Sequence, residues 1–465
     1  MELDPLILSR IQFAFVVCFH AIFPVFTIGL ASTIAGFETF AYKTGNPTWE
    51  RLSKFWIQVF AVVFGIGVVS GIVMSFQFGT NWSNFSYATA NFLGPVLSYE
   101  VVTAFFLEAA FLGVLLFGRG KVPRGIHLFA AIMVAVGTFI SSFWILSANS
   151  LMQTPQGLEL IGGVYHVKSW TEALFTPSFP YRFAHMALAS FLTASLVVAG
   201  VSAWFIVQKR EIEANKKALS VALWFLLILA PTQAYVGDLH GLNTLKHQPM
   251  KVAAMEGNWD TQPGVPLLLF AIPDQEAQKN HLEIAIPNLA SIILKHDSNG
   301  VIPGLKEVSI DKQPPVFIVF WSFRVMVGLG LLMVGFALWG LWLRIRGRLY
   351  NSLLFLNGLR LMSISPFLAV LAGWVVTEVG RSPWLLYGLM THAEGLTPSI
   401  TGGMALFTLI GYVAVYAVVF SAGVHYLLKV FRGGLEKANS KHSSIEIEKP
   451  TSPLYAEHDA LNSEV

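Results

Sequence analysis

The segment from Leu359 to Trp384, LRLMSISPFLAVLAGWVVTEVGRSPW, predicts a membrane-spanning helix with a charged end. Its apolar part is about 20 residues long, which is enough to cross the hydrocarbon core of a bilayer. It ends with the carboxylate of Glu378, and Arg381 follows in a turn that contains glycine, proline and tryptophan. A charge at this depth costs at least ~2.5 kcal/mol and usually has both a partner and a function. Glu378 is therefore either an interfacial residue paired with Arg381 or part of a functional site.

The composition of the whole chain is that of a membrane protein. Of its 465 residues, 54% are hydrophobic and only 12% are charged, and the mean hydropathy is +0.61. The net charge of +3 is small, so nucleic acid is not an expected partner. The one cysteine, Cys18, lies in an apolar segment, so neither an intrachain disulfide nor a thiolate metal cluster can form.

The pattern of apolar segments predicts an all-α, polytopic membrane protein with nine transmembrane helices. The segments lie near 11–40, 55–76, 96–118, 126–148, 184–207, 219–237, 316–343, 359–379 and 403–430. They divide the chain into helices one to six (1–237), an outer loop (238–315), helices seven to nine (316–432) and a disordered cytoplasmic tail (433–465). Within the loop, the apolar groups Val265–Ile272 and Leu289–Leu294 indicate a folded cap.

Basic residues in alternate loops predict the orientation of these helices. The loops after helices one, three, five and seven carry the positive charges: Lys43, Arg51, Lys54, Arg119, Lys121, Arg124, Lys209, Arg210, Lys216, Lys217, Arg344, Arg346, Arg348 and Arg360. By the positive-inside rule, the amino terminus lies outside and the carboxyl terminus inside. The acidic amino terminus and a first apolar run without a cleavage site predict a retained span rather than a signal peptide.

Six polar or metal-ligating side chains within the predicted helices lie in the outer half of the membrane. They are His20, Glu100, Glu108, His185, Met326 and Glu378. Taken singly, either histidine fits a hydrogen-bonded core residue and Met326 fits ordinary packing. His127 and His425 lie at cytoplasmic helix ends, where snorkelling explains them.

Glu100 and Glu108 are harder to attribute to packing alone. Eight residues turn a helix through about 80° beyond two full turns, so the carboxylates share one broad face about 12 Å apart along the axis. Two carboxylates on one intramembrane face suit a proton relay, although structural pairing with other basic residues is the alternative.

The ligand types in this set are those that bind haem iron. A His/Met pair saturates the iron and suits electron transfer, whereas a single axial ligand leaves a position open for oxygen. Oxygen chemistry at copper would need several clustered histidines. Only His20 and His185 lie at a suitable depth, which argues against a haem–copper oxidase.

Five sequence blocks identify a family resemblance. They are Ser9–Phe13 (SRIQF), Phe76–Trp82 (FQFGTNW), Trp144–Leu146 with Asn149, Phe323–Met326 (FRVM) and Gly380–Trp384 (GRSPW). From Ser9 to about residue 430, the chain resembles subunit I of the cytochrome bd-type quinol oxidases. The short outer loop, and Ser382 where a better-known branch has glutamine, resemble the cyanide-insensitive branch. These two departures leave open which quinone is used and whether the third haem is haem d or a further haem b.

The resemblance implies a role for each haem ligand. His185 and Met326 correspond to the axial ligands of a low-spin haem b. His20 and Glu378 resemble the axial ligands of two high-spin haems, of which one is haem b and the other is haem d or haem b. Trp374 resembles the inter-haem tryptophan of the family.

The resemblance also implies roles for charged residues around the haems and the quinol. Glu100 and Glu108 look like the carboxylates that line the haem site and its proton supply. Arg324 and Arg381 look like partners of haem propionates or of Glu378, and Arg10 in the first block is grouped with the cofactor-binding residues. Lys251 and Glu256 resemble the contact pair of the quinol-binding segment.

The implied activity is that of a terminal respiratory oxidase in the bacterial cytoplasmic (inner) membrane. Quinol would be oxidised at the outer face and dioxygen reduced to water at the high-spin dihaem site, with protons drawn from the cytoplasm past Glu108 and Glu100. The family implies a second large membrane subunit, subunit II, and allows a small single-helix one. Two alternatives remain at this point: a dihaem b subunit that passes electrons from quinone, and a proton-coupled transporter without haem.

Overall fold

The computed structural model describes residues 3–440, which are mostly helical. Nine helices in this range are long and apolar enough to cross a membrane, which confirms the predicted fold class. We number them spans 1–9. Their helices are Pro5–Thr44 (span 1), Pro47–Ser75 (span 2), Ala90–Glu100 with Phe106–Phe117 (span 3), Arg124–Gln153 (span 4), Phe179–Val207 (span 5), Ile212–His247 (span 6), Val316–Ile345 (span 7), Leu353–Met362 with Ser365–Val379 (span 8) and Gly402–Ser440 (span 9).

Local capping signals set the ends of the first span. The Asp4 side chain accepts hydrogen bonds from the backbone N–H groups of Leu6 and Ile7, and Pro5 occupies the first helical position. At the other end, Gly45 adopts a left-handed conformation with φ 64°, which a glycine reaches without steric cost. These caps let the helix extend well beyond the predicted range 11–40.

Two spans are irregular. Span 3 contains a π-helical turn, Val101–Phe105, between its two α-helical parts. Span 8 is interrupted before Pro366, because proline lacks the N–H that a continuous helix would need.

The hydrophobic core lies mainly among spans 1, 2, 4, 5, 6, 7 and 8, and spans 3 and 9 contribute Leu115 and Leu435. Phe37, Phe55, Phe205 and Phe355 are among its fully buried side chains. In span 5, 72% of the most apolar window is buried within the chain, compared with 17% in span 3 and 11% in span 9. Span 5 is therefore central, and spans 3 and 9 are peripheral.

The segment after span 6 begins later than predicted. The sequence places the outer loop from residue 238, but the helix continues to His247. Its polar residues find partners inside the protein, since Asn243 donates to the Pro177 carbonyl and Thr244 to the His240 carbonyl. We call the end of the bundle that carries residues 248–315 the loop face.

Residues 248–315 form a folded cap of short elements, as their apolar groups predict. The elements are the helices Pro249–Glu256 and Leu289–Lys295, the 3-10 turns Leu305–Glu307 and Ile310–Lys312, the hairpin Leu267–Asp274 with Lys279–Ile286, and the pair Gln262–Pro263 with Val301–Ile302. Val265, Ala290 and Ile302 form a small core beneath them.

Two further hairpins and several short helices complete the loop face. They are the hairpins Leu158–Ile161 with Val164–Val167 and Trp384–Leu386 with Met390–Thr391, and the helices Gln77–Thr80, Ser83–Ala88, Trp170–Leu174 and His392–Gly395. At the other end of the chain, the predicted tail 433–465 lies outside the described residues from 441 onward. Its first described residues are helical on both sides of a kink at Gly434, where φ is 68°, and Leu435 is buried.

Candidate functional site

A cluster of buried polar side chains lies at the loop-face ends of spans 4, 5 and 8. We call it the Glu378 cluster, and its members are Asn149, Gln153, Arg182, Lys251, Glu378 and Arg381. One carboxylate oxygen of Glu378 accepts hydrogen bonds from Asn149 (2.8 Å) and Gln153 (3.3 Å), and the other pairs with Arg381 at 2.5 Å. The pairing of Glu378 with Arg381 is thus present, but within a larger cluster.

Positive charge exceeds negative charge in this cluster. Arg182, Lys251 and Arg381 are 7%, 3% and 3% exposed, and Glu378 is the one carboxylate among them. Lys251 donates to Gln153 Oε1 (2.6 Å) and to the Thr377 carbonyl (2.9 Å), which are both neutral. Burial, reinforced by Arg182 and Arg381, lowers the pKa of Lys251 well below its usual value.

The guanidinium group of Arg381 has N–H donors that its pairing with Glu378 does not use. Burial lowers the pKa of its guanidinium, although Glu378 opposes this shift. Within residues 3–440, its Nε and Nη1 atoms are buried without a hydrogen-bond partner. Buried cations with unused donors are costly unless an anion completes them, so the cluster suits a further negatively charged group.

His185 of span 5 faces a glycine and a second histidine of span 6. A Cβ atom placed on Gly237 would lie 3.3 Å from His185 Cε1. The ring of His240 stands edge-on to that of His185, with their centroids 5.6 Å apart. His185 Nδ1 is buried and has no hydrogen-bond partner in the described part of the chain. Sequence reasoning missed His240 because it assigned residue 240 to a loop, although its position three residues after Gly237 places both on one helical face.

Met326 and His20 also face glycines of neighbouring spans. A Cβ atom placed on Gly373 of span 8 would lie 3.0 Å from the Met326 sulfur, and one on Gly71 of span 2 would lie 3.1 Å from His20 Cε1. His20 Nδ1 makes a 2.9 Å hydrogen bond with Ser70. The three predicted imidazole and thioether ligands thus share one feature, since each packs closely against a glycine of a neighbouring span.

Trp374 and Arg10 lie near these groups. Trp374 follows Gly373 directly, and its indole N–H is buried without an acceptor among residues 3–440. Arg10 donates to the hydroxyl of Ser382 at 3.0 Å, next to Arg381. Like the unused donors of Arg381, this indole donor without an acceptor indicates that a bound group completes the site.

Arg324 and Glu256 pair with each other rather than with Glu378. Arg324 forms a 3.0 Å ion pair with Glu256 and donates to the carbonyls of Met255 and Leu268. Of the two arginines offered as partners of Glu378, the structure therefore pairs only Arg381 with it. Arg324 instead joins span 7 to the cap, because its fork of donors fits carbonyls and a carboxylate together.

Lys251 and Glu256 share the helix Pro249–Glu256 but meet different groups. Lys251 lies in the Glu378 cluster, whereas Glu256 lines a cavity of about 350 Å³ in the cap. The other lining residues of this cavity include Trp259, Lys279 and Lys306. The two members of the predicted quinol contact pair thus lie in two different compartments, and four helical residues separate them.

Glu100 and Glu108 both face span 4. Glu100 accepts a 2.7 Å hydrogen bond from Ser141, and Glu108 is buried against Gly137. The structure therefore brings both carboxylates to one helix face.

Comparisons with known proteins show which family the chain resembles. Residues 8–435 match the family model described as cytochrome bd terminal oxidase subunit I. The chain is 35% identical to the cytochrome bd ubiquinol oxidase subunit 1 of Bacillus subtilis, over 94% of this chain and 96% of that one. It is 29% identical to the cytochrome bd-II ubiquinol oxidase subunit 1 of Escherichia coli, over 96% and 99% of the two chains.

A solved structure has the same fold. The bd oxidase of Geobacillus thermodenitrificans superposes with a TM-score of 0.84 at 29% identity, covering 93% of this chain and 99% of that one. These relatives favour a quinol oxidase over the haem-free transporter and over a subunit that only passes electrons. The chain belongs to the cytochrome bd terminal oxidase subunit I family and is a multi-pass membrane subunit of a quinol oxidase.

Proposed function

We propose that this subunit oxidises quinol at the loop face and reduces dioxygen to water at a pair of high-spin haems within the spans. The observation that carries the proposal is the excess of buried positive charge in the Glu378 cluster, with donors of Arg381 unused. Haem propionates are anions of the kind that such a cluster would bind. The imidazole and thioether side chains of His20, His185 and Met326 support it further, because these are groups that ligate haem iron.

Four side chains would hold the haem irons. His185 and Met326 would ligate a low-spin haem b, and His20 and Glu378 would ligate two high-spin haems, one haem b and the other haem d or haem b. Haem, when bound, supplies one-electron transfer and, where an axial position is open, the reduction of dioxygen. Trp374, beside Gly373 and four residues before Glu378, would lie between the haems.

The charged residues around the irons would position and neutralise the bound groups. Arg182, Lys251 and Arg381 would bind propionates, and Arg10 would hold Arg381 in place through Ser382. Asn149 and Gln153 orient the Glu378 carboxylate by donating to the same oxygen. These bonds fix the carboxylate before any ligand binds, which lowers the cost of binding.

Quinol would bind under the cap. Glu256 lines the cavity there and would accept a hydroxyl proton, while Lys251 lies on the side of the Glu378 cluster. Protons for oxygen reduction would pass Glu108 and Glu100 from the other face. The basic loops at that face support a cytoplasmic location, with the amino terminus outside and the carboxyl terminus inside the bacterial inner membrane.

Spans 3 and 9 support the expectation of partner subunits. Their most apolar windows are only 17% and 11% buried within the chain. A second large membrane subunit, subunit II, would cover these peripheral helices, and a small single-helix subunit is allowed by the resemblance.

The test is a reduced-minus-oxidised spectrum of the purified complex, with and without carbon monoxide, alongside quinol-driven oxygen uptake. We expect low-spin haem b, a high-spin haem that binds carbon monoxide, and oxygen consumption. His185→Ala should remove the low-spin signal and leave the high-spin haems assembled. The control is His166→Ala, which changes an exposed histidine outside the spans.

Three results would contradict the proposal. Haem without carbon monoxide binding or oxygen uptake would favour a dihaem subunit that only transfers electrons. A complex without haem would remove the proposal entirely. Survival of the low-spin spectrum in His185→Ala would show that His185 is not its ligand.

A further inference from the structure

The π-helical turn Val101–Phe105 lies between Glu100 and Glu108. In a continuous α-helix these residues would differ by about 80° around the axis. A single π turn accommodates one extra residue, so Glu108 takes the angular position of the seventh residue after Glu100. Seven residues turn an α-helix to within about 20° of two full turns. The π turn therefore reduces the angle between the two residues around the helix axis from about 80° to about 20°. The two carboxylates then lie nearly one above the other on the same side of span 3.

Span 4 presents a matching stripe to these carboxylates. Ser141 donates to Glu100 at 2.7 Å, and Gly137, four residues earlier, faces Glu108. A Cβ atom placed on Gly137 would lie 2.6 Å from Glu108 Cγ and 3.4 Å from its Oε1. Real Cβ atoms do not approach other atoms to 2.6 Å, so the Glu108 side chain occupies the space that any other residue at 137 would fill.

A hydrogen bond fastens the π turn to the same helix. Trp144, three residues after Ser141, donates its indole N–H to the hydroxyl of Thr103 at 2.9 Å. Thr103 lies inside the π turn and donates to the Tyr99 carbonyl at 2.6 Å. The Tyr99 ring stacks on that of Trp144 with centroids 5.5 Å apart. Span 4 thus contacts the turn, the carboxylate before it and the carboxylate after it.

One carboxylate oxygen of Glu108 can accept a hydrogen bond from a proton carrier. Its Oε1 is buried and has no hydrogen-bond partner within residues 3–440. Glu100 differs from Glu108, because its Oε1 atom already accepts a hydrogen bond from Ser141. A proton that leaves the Glu108 carboxyl leaves a carboxylate behind, and an ionised Glu100 becomes protonated when it accepts that proton. Because the two carboxylates lie about 12 Å apart along the axis, a chain of water molecules would carry the proton between them.

We propose that Gly137, Thr103 and Trp144 are positioning residues that hold Glu108 and Glu100 in register for proton transfer. This inference rests on the proposed function, in which the two carboxylates supply protons for oxygen reduction. Gly137 acts by leaving space for the Glu108 side chain. Thr103 and Trp144 act by keeping the π turn, and hence the angular register, in place.

The first test is Gly137→Ala in the complete oxidase complex. We expect the haem spectrum to be unchanged and quinol-driven turnover to fall roughly tenfold or more, since small misplacements of reacting groups have effects of this size. The carboxyl C=O band that Glu108→Gln removes from the redox-induced infrared spectrum should shift in Gly137→Ala. The matched control is Gly113→Ala in span 3, where an added Cβ meets no atom within 4 Å.

The second test separates positioning from packing. Thr103→Val keeps the side-chain volume but loses the hydroxyl, so turnover should fall and the carboxyl band should shift. Thr103→Ser restores the hydroxyl and should recover both. If the Gly137→Ala complex does not assemble, the comparison of Thr103→Val with Thr103→Ser still tests the positioning role.

The outcomes distinguish this inference from the proposed function. A wild-type complex without oxygen uptake would overturn the function itself. An active wild-type complex in which Gly137→Ala keeps both normal turnover and the normal carboxyl band would overturn only the positioning role. Equal loss in Thr103→Val and Thr103→Ser would also overturn the role assigned to the hydroxyl.

Discussion

Two buried clusters built around a carboxylate lie at opposite faces of the bundle, and they differ in whether their charges are balanced. At the loop face, three cations surround Glu378. At the other face, Glu38 of span 1 accepts hydrogen bonds from Ser53 and Arg119 on one oxygen and contacts His127 through the other at 3.2 Å. The second nitrogen of His127 bonds to the Leu115 carbonyl at 3.1 Å.

The Glu38 cluster needs no further group. Its carboxylate and arginine balance each other, and both ring nitrogens of His127 have partners. The Glu378 cluster also pairs a carboxylate with an arginine, but it leaves positive charge and hydrogen-bond donors uncompensated. A balanced cluster joins helices, whereas an unbalanced one leaves room for a ligand of opposite charge. The comparison thus predicts a structural role for Glu38 and a ligand-binding role for Glu378.

The largest expected effect is that of Glu378→Gln. An amide cannot replace the carboxylate as an anionic ligand, and its NH₂ would face Arg381. We expect complete loss of one high-spin haem component, with the low-spin haem retained. Quantitative haem analysis and the difference spectrum of the purified complex measure this. Full retention of the haem would show that Glu378, like Glu38, is only structural.

Next is Glu38→Gln, which breaks a balanced buried cluster. Removing the charge leaves Arg119 beside an amide, with the partly exposed Glu50 as its remaining ion-pair partner in the part of the chain that the structure describes, so we expect a cost near the lower end of the about 3–5 kcal/mol for breaking a buried pair. We expect a lower thermal midpoint or reduced assembly, but unchanged haem content in each assembled complex. Thermal unfolding measures the expected loss of stability. The ratio of haem to protein measures whether the haem content is unchanged. A change in haem type would mean that the comparison is wrong.

His392 lies at the edge of the Glu378 cluster and makes the stability of the folded protein depend on pH. Burial, aided by Arg10 and Arg381, lowers its pKa from 6.5 to about 3. The folded state therefore keeps it neutral while the unfolded chain takes up a proton below pH 6.5, so stability falls as the pH drops. At pH 5 the loss is about 2 kcal/mol.

The measurement is the unfolding midpoint of the complex at pH 7.5 and pH 5. His392→Gln should lack this part of the acid destabilisation, because glutamine does not titrate. An identical pH dependence in the variant and the wild type would mean that His392 is not held neutral.

The smallest effect is expected from Glu50→Gln at the edge of the Glu38 cluster. Glu50 lies 3.5 Å from Arg119 and 3.4 Å from Lys54, and its side chain is 34% exposed. Solvent-exposed pairs contribute less than ~1 kcal/mol. The thermal midpoint should therefore change much less than in Glu38→Gln. A comparable shift would place Glu50 inside the balanced cluster.

Some features of the site could be predicted from residue types, and others could not. Glu378 and Arg381 lie three residues apart on one helix end, so their pairing follows from local geometry. The sequence predicts a snorkelling role for His127, yet this residue is 3% exposed and contacts Glu38. This interpretation was wrong because a helix end seen in isolation does not show which neighbour covers it. The pairing of Arg324 with Glu256 was likewise not predicted, since Glu256 lies 68 residues earlier in the chain.

The sequence by itself determined the nine spans and the charged residues within them, because hydropathy and length are local properties of the chain. It also carried the family resemblance, through short blocks such as Gly380–Trp384. Only the tertiary structure decided which buried charges balance and how Glu100 and Glu108 align. Glu38 and His127 are 89 residues apart in the chain and meet only when spans 1 and 4 pack together. The π turn likewise takes its register from contacts with span 4, which no local sequence pattern contains.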